Sequence, residues 1–364
     1  MTTQELFFKL LKYKSITPND DGAFEFIAEY LDHFEHVRVD MEDTKNIFLY
    51  KKFSEGPHLC FAGHIDVVPP GDGWQSDPFE PTLKEGKVYA RGTQDMKSGV
   101  CAFLKACKEA KNFQGTLSIL LTSDEEGDAI YGTIEVLKYL EEKSFLPDYC
   151  IVAEPTCEAI FGDAIKVGRR GSINGILELN GLQGHAAYPE KSTNPLNLIA
   201  PILPKLAGYN FDEGDKDFAP SQLVVTDLRA GMEVTNVTPG HLKMMFNVRN
   251  STNTTKEQIQ DYITSLFDGL DYTLSLYQSA HPFVTSTDSK IVQNLTSAIK
   301  EKTQIAPKLS TAGGTSDARF ISRFGVQTVE FGVINDTIHA PNERCSLEEV
   351  ENLYEIFLHV IKNF

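Results

Sequence analysis

What most restricts the fold of this chain is an alternation of strand-like and helix-like runs that is interrupted once and then resumes. HLCFAGHI (58–65) reads as a strand, MKSGVCAFLKACKEA carries helical apolar spacing at Val100, Phe103, Leu104 and Cys107, and TLSILLT (116–122) is a continuous buried-strand run. TIEVLKYLEE then reads as a helix and YCIVA (149–153) as a strand. Strands that alternate with helices predict an α/β fold: a mainly parallel mixed sheet covered by helices on both faces. After RRGS (169–172) the order changes to strand INGILELNG, helix NPLNLIAPILPKLAG, strands SQLVVTDLRA and GHLKMMFNVRN, helix TKEQIQDYITSLFDG and strand DYTLSLYQ. This β-α-β-β-α-β series is the ferredoxin-like unit. After His281-Pro282 the first style returns in SKIVQNLTSAIKEKT, VQTVEFGV and LEEVENLYEIFLHVIKNF. The expected organisation is a discontinuous domain of residues 1–172 and 282–364, with an inserted domain of residues 173–281. A chain of 364 residues suits two cores better than one.

Five residues able to bind a metal follow strand-like runs at turns: His64 in FAGHIDVVPPGDGW, Asp95 in RGTQDMKSG, Glu126 in LLTSDEEG, Glu154 in IVAEPT and His339 in NDTIHAPNE. An open α/β sheet collects whatever lies at the carboxyl ends of its strands into one crevice, so these remote residues can converge. A lone acid after a strand ordinarily caps a helix; the agreement of five is what points to a metalloenzyme. Two zinc ions suit the set. His64 with Glu154 could hold one ion and Glu126 with His339 the other, Asp95 bridging, so that three carboxylates and a hydroxide balance four positive charges. Asp66, two residues beyond His64, leaves the same strand face and could orient the imidazole. Glu125, beside Glu126, is the expected general base.

Composition removes several other functions. Thirty-four Lys and Arg against fifty-one Asp and Glu give a net charge of −17, which opposes a polyanionic partner, so no nucleic acid is expected. No apolar run approaches the roughly 20 residues that span a bilayer, so no membrane partner is expected. The opening MTTQELFFKLLKYKS lacks a signal-type core, which suggests the cytoplasm. The six cysteines include no CxxC pair and read as buried thiols, with Cys157 near enough to Glu154 in sequence to lie by the site.

The blocks HIDVVPPGDGW, RGTQDMKSG, TSDEEG, AEPT, GRRGS, GHAAYPEKSTNPL, TNVTPG, FNVRN, GGTSDARF and NDTIHAPNE, in this order, resemble the dinuclear zinc peptidase and aminoacylase family over nearly the whole chain. GRRGS, GHAAYPEKSTNP and GGTSDARF narrow the likeness to its desuccinylase branch. The resemblance implies two Zn2+ per subunit, with Co2+ a possible substitute, held by His64, Asp95, Glu126, Glu154 and His339, and Glu125 as base. It implies a homodimer built through the inserted domain, which would also act as a lid, with His185 reaching the partner's site to hydrogen-bond the oxyanion. It also implies a small-molecule substrate, N-succinyl-L,L-2,6-diaminopimelate, hydrolysed to succinate and L,L-2,6-diaminopimelate in lysine and cell-wall precursor synthesis. Arg169, Ser172, Asn236, Arg249, Gly314, Thr315 and Asn335 match the positions that would hold its three carboxylates. Read by themselves, Arg249 could equally be a surface ion-pair partner, Asn236 and Gly314-Thr315 turn formers, and His185 a loop cap. Rival readings are acetylornithine deacetylation, hydrolysis of small dipeptides, or a non-catalytic zinc-dependent binding protein. Ile65 where a threonine is usual, RGTQDMKSG for RGAADMKG, AEPTC for EPTS and the missing phenylalanine after FNVR alter neighbours of the ligands and leave the ligands themselves in place.

Overall fold

The structure, a computed structural model, describes residues 1–314 and 316–364. The chain divides into two compact units. One comprises Met1–Gly168, Thr285–Ser310 and Gly314–Phe364, the other Arg169–Val284 and Thr311–Gly313. These crossings lie a few residues outside the expected 172/173 and 281/282. The strand Gly168–Arg169 pairs with Phe283–Val284, so the short ladder takes the flanking residues with it.

The larger unit is built on an eight-stranded mixed sheet in the order Glu35–Arg38, Asn46–Lys52, Thr116–Thr122, His58–His64, Tyr149–Val152, Gln327–Glu330, Ala164–Lys166, Lys308–Ser310. Thr116–Thr122, His58–His64, Tyr149–Val152 and Gln327–Glu330 run parallel to one another. The strands Thr116–Thr122 and His58–His64 are buried along their entire lengths, which is why they read as unbroken apolar runs rather than alternating ones. Helices Thr3–Leu11, Lys97–Glu109, Lys290–Thr303 and Leu347–Asn363 contribute to one continuous core, in which the Phe61 ring lies 5.9 Å from that of Phe103 and 5.1 Å from that of Phe357. Each such fully buried side chain contributes roughly 1.5–3 kcal/mol relative to exposure. A smaller antiparallel sheet joins Thr82–Lys84, Lys87–Tyr89 and Arg344–Ser346. Among the described residues, no helix is long and apolar enough to cross a membrane.

The second unit is a four-stranded antiparallel sheet in the order Leu223–Ala230, His241–Val248, Ser172–Asn180, Tyr272–Ala280. Numbered along the chain this is 2-3-1-4, the order of a ferredoxin-like sheet. Helix Lys256–Leu266 starts at a capping box in which Thr255 and Gln258 satisfy each other's backbone N–H groups. Its Ile259 and Ile263 share a core with Leu177, Leu179, Met244 and Phe246. The helix expected over 194–208 is instead two short pieces, Pro195–Ile199 and Leu203–Leu206. Pro201 and Pro204 have no N–H to give, so one continuous helix cannot form there.

Candidate metal centre and active site

Three adjacent parallel strands deliver most of the site. His64 closes its strand, Glu125 and Glu126 follow the strand Thr116–Thr122 at the next position in the sheet, and Glu154 follows Tyr149–Val152 on the other side. Asp95 and His339 arrive from the small sheet. Asp95 lies six residues past Lys87–Tyr89, His339 five residues before Arg344–Ser346, and these two strands pair.

The six side chains meet. Asp95 presents its Oδ1 to His64 Nε2 at 3.2 Å and its Oδ2 to His339 Nε2 at 3.3 Å, so one carboxylate addresses both imidazoles. His339 Nε2 also lies 3.0 Å from Glu126 Oε1, while His64 Nε2 lies 3.8 Å from Glu154 Oε1 and 4.0 Å from Glu125 Oε2. Donor atoms of His64, Glu125 and Glu154, and again of His64, Asp95 and Glu126, fall within 4.8 Å of one another. The two groups share His64, and His339 joins the second through Asp95 and Glu126, so imidazole nitrogens and carboxylates converge as in a site for divalent metal ions.

The second ring nitrogen of His64 is committed as well. Its Nδ1 lies 2.9 Å from the backbone carbonyl of Asp66, to which it donates, and its Nε2 faces the carboxylates, donating to Asp95 when the ring is protonated and offering a lone pair to a metal when it is neutral. The Asp66 carboxylate is 3.6 Å from Nδ1 and accepts instead from the backbone N–H groups of Glu125 (3.4 Å) and Glu126 (3.1 Å). Asp66 therefore orients the imidazole through its main chain and shapes the Glu125-Glu126 turn through its side chain.

The cluster demands positive charge. Burial opposes charging His64, yet the Asp95 hydrogen bond and the charges of Asp66, Glu154 and Glu125 push its pKa well above the usual value. Hydrogen bonds to Asp95 and Glu126 push His339 up to about 10. Burial pushes the carboxyls of Glu125 and Glu154 well above the normal range, and Asp66 up to about 6. Asp95, although also buried, is held below the carboxylate range by hydrogen bonds from both histidines. Acids that resist ionisation unless positive charge is supplied, beside imidazoles that attract it, fit divalent cations.

The remaining expected residues fall in separate groups. In the larger unit Gly314 is exposed, and Asn335 is half-buried with its N–H bonded to the Cys157 carbonyl at 3.1 Å. Thr315 lies outside the described residues. In the second unit His185 sits in a two-stranded ribbon, opposite Val237, and the Asn236 carbonyl accepts from Ala186 N–H at 2.9 Å, which makes His185 and Asn236 neighbours. Ser172 begins its strand and receives a hydrogen bond from Asn247 at 3.0 Å, two residues before the exposed Arg249. Arg169 is buried and donates to the Ala312 carbonyl at 3.0 Å. Cys157 takes no part in the cluster: its Sγ donates to the Gly332 carbonyl and accepts the Gly162 N–H.

Two residues beside the site went unassigned from the sequence, Arg91 and Glu343, which form a fully buried ion pair at 2.7 Å. The available signal was their position inside RGTQDMKSG and NDTIHAPNE, four residues before Asp95 and four after His339.

The sequence model of peptidase family M20/M25/M40 matches residues 60–363. The chain belongs to this family. It is 64% identical to the succinyl-diaminopimelate desuccinylase of Sulfurovum sp. strain NBC37-1, covering 100% of this chain and 99% of that one. It is also 64% identical to the protein of the same name from Nautilia profundicola, covering 100% of both. Among solved structures, the aminopeptidase PepT of Bacillus cereus ATCC 10987 superposes with a TM-score of 0.82 at 20% identity, over 100% of this chain and 98% of that chain. The mixed α/β sheet is thus the M20 peptidase fold, expected from the sequence and found.

Proposed function

We propose that this family member hydrolyses N-succinyl-L,L-2,6-diaminopimelate to succinate and L,L-2,6-diaminopimelate, using two zinc ions per subunit, as a cytoplasmic homodimer. The observation that carries the chemistry is Asp95 facing His64 and His339 with one oxygen each, every imidazole having its own further carboxylate. Support for the substrate comes from relatives 64% identical over the full length that bear the desuccinylase name. His64 and Glu154 would hold one ion, Glu126 and His339 the other, with Asp95 between them. When bound, such a pair polarises an amide carbonyl and lowers the pKa of water toward about 7.

The chain's own groups do the rest. Glu125 takes the proton of the attacking water on a side-chain oxygen and later gives it to the amine nitrogen that leaves. His64 keeps its Nδ1 proton on the Asp66 carbonyl throughout and so stays an Nε2 donor of electrons. His185 has its Nδ1 occupied by the Ala187 N–H at 3.0 Å, which places the ring proton on the exposed Nε2. That proton suits hydrogen bonding to a developing oxyanion across the subunit interface. Arg169, Ser172, Asn236, Arg249, Gly314, Thr315 and Asn335 would receive the substrate carboxylates, which an acidic protein must hold with local cations and N–H groups.

The deciding experiment measures succinate release from the L,L substrate by zinc-reconstituted protein, with N-acetyl-L-ornithine and a small dipeptide alongside. A clear preference for the succinylated compound is expected. Preference for either rival overturns the substrate assignment, and absence of any turnover with zinc bound overturns the catalytic one.

A further inference from the structure

We infer that Glu343, acting with Arg91, is a positioning residue that presets Asp95 and His339 for a pair of divalent cations. The inference rests on the metal-centre reading above. Glu343 has no solvent exposure, and its two oxygens are surrounded by donors from one loop. Oε2 accepts from Arg91 Nη1 at 2.7 Å and from Gly92 N–H at 2.9 Å, and Oε1 accepts from Gln94 N–H at 2.7 Å and Asp95 N–H at 3.2 Å. Three backbone N–H groups that converge on one anion make a concave nest, and the anion sets the loop's shape. The last of these N–H groups belongs to Asp95 itself, so the carboxylate that addresses both histidines is hung from Glu343.

Arg91 ties in the other loop. Its Nη2 donates to the His339 carbonyl at 3.2 Å and to the Pro70 carbonyl at 3.3 Å, and its Nη1 reaches the Ala340 carbonyl at 3.4 Å. His339 has a backbone φ of 59°, a left-handed conformation that a non-glycine residue keeps only where its surroundings hold it. One buried ion pair therefore grips the peptide of Asp95 on one side and that of His339 on the other, and it leaves both side chains free to face each other at 3.3 Å. A pair that served stability alone would have no need to end on these two peptides.

The test uses full-length protein stripped of metal by chelation, titrated with Zn2+ in a calorimeter, with thermal unfolding of the stripped protein and the visible absorption of the Co2+-loaded protein measured in parallel. Glu343→Gln keeps the side-chain size but places an amide where the nest needs an anion. At a temperature where both proteins are folded it is expected to bind at least one of the two zinc ions about 10- to 100-fold more weakly than wild type, with an altered Co2+ spectrum. A lower melting temperature with unchanged zinc affinity would mean a structural role only and overturns the inference. If Glu343→Gln does not fold, Arg91→Lys decides: it retains the charge opposite Glu343 but loses the fork to the His339 carbonyl, so weakened binding supports the inference and wild-type affinity overturns it. Wild-type protein that takes up no zinc would sink the metal-centre reading and this inference with it, whereas two zinc ions bound equally well by wild type and variant sink this inference alone.

Discussion

Neighbouring acids acquire different tasks from their surroundings. Glu125 and Glu126 are adjacent and share the turn shaped by Asp66, yet Glu126 touches His339 at 3.0 Å while the nearest histidine to Glu125 is 4.0 Å away. On the proposed mechanism Glu125→Gln removes only a proton carrier. It should retain two zinc ions by metal analysis and lose about 10²- to 10⁴-fold in kcat, and turnover within threefold of wild type would remove Glu125 from its role. His58 offers a separate check, remote from the cluster. It is buried, its Nε2 lies 2.7 Å from Ser118 Oγ, and burial pulls its pKa down to about 4 against the opposing charge of Asp148. The unfolded chain takes up a proton on this ring near pH 6.5, the folded one only near 4, so its contribution to stability is intact above about 6.5 and is lost as the pH falls toward 4. Relative to His58→Gln, wild-type protein is expected to lose about 3 kcal/mol of unfolding free energy between pH 7.5 and 4, read from urea denaturation at several pH values. Parallel curves for the two proteins would show that His58 is not the group responsible.

At the scale of elements, the strands carrying His64, Glu126 and Glu154 were legible because buried parallel strands are continuous apolar runs, and their carboxyl ends mark the site. The small sheet that brings Asp95 to His339 was not, because Thr82–Lys84, Lys87–Tyr89 and Arg344–Ser346 are three residues each, too short for any periodicity to register. The break at Pro201 and Pro204 has a different cause: the apolar spacing over 194–208 is helical, but two prolines without an N–H divide it into Pro195–Ile199 and Leu203–Leu206. Arg91 and Glu343 escaped because charged residues beside glycine and asparagine look like solvated turns until burial is known. Helix Lys97–Glu109 packs closely against the strand end before Glu154, a contact that leaves no periodic signal in the sequence. A Cβ at Gly99 would lie 2.2 Å from the Ala153 carbonyl, and one at Gly332 would lie 2.3 Å from the Glu154 carbonyl, so both glycines admit the Glu154 peptide. Gly99→Ala must push helix and strand end apart. It is expected to cost about 1–3 kcal/mol in thermal unfolding and to weaken zinc binding through Glu154. Wild-type values of both would show that the contact relaxes without moving the ligand.

At the scale of the whole molecule, the proposed role of His185 makes a prediction of its own. The cluster lies within Met1–Gly168, Thr285–Ser310 and Gly314–Phe364, and His185 is an exposed residue in a two-stranded ribbon of Arg169–Val284. If His185 serves the partner subunit's cluster, as we propose, two inactive variants should repair each other. In a mixed dimer of Glu125→Gln and His185→Ala subunits, the second subunit has an intact cluster and receives an intact histidine from the first, while the reverse site lacks both. Random exchange of subunits makes half of the dimers mixed, each with one working site of two, so an equimolar mixture should recover about one quarter of wild-type activity. Sedimentation must show a dimer under the same conditions, and exchange is followed with subunits carrying two different tags. If His185 acts within its own chain, each mixed dimer holds two damaged sites and the mixture stays as inactive as its parts. Mixing without recovery, once tagged heterodimers are present, therefore rejects the shared site while leaving the metal cluster and the role of Glu125 standing.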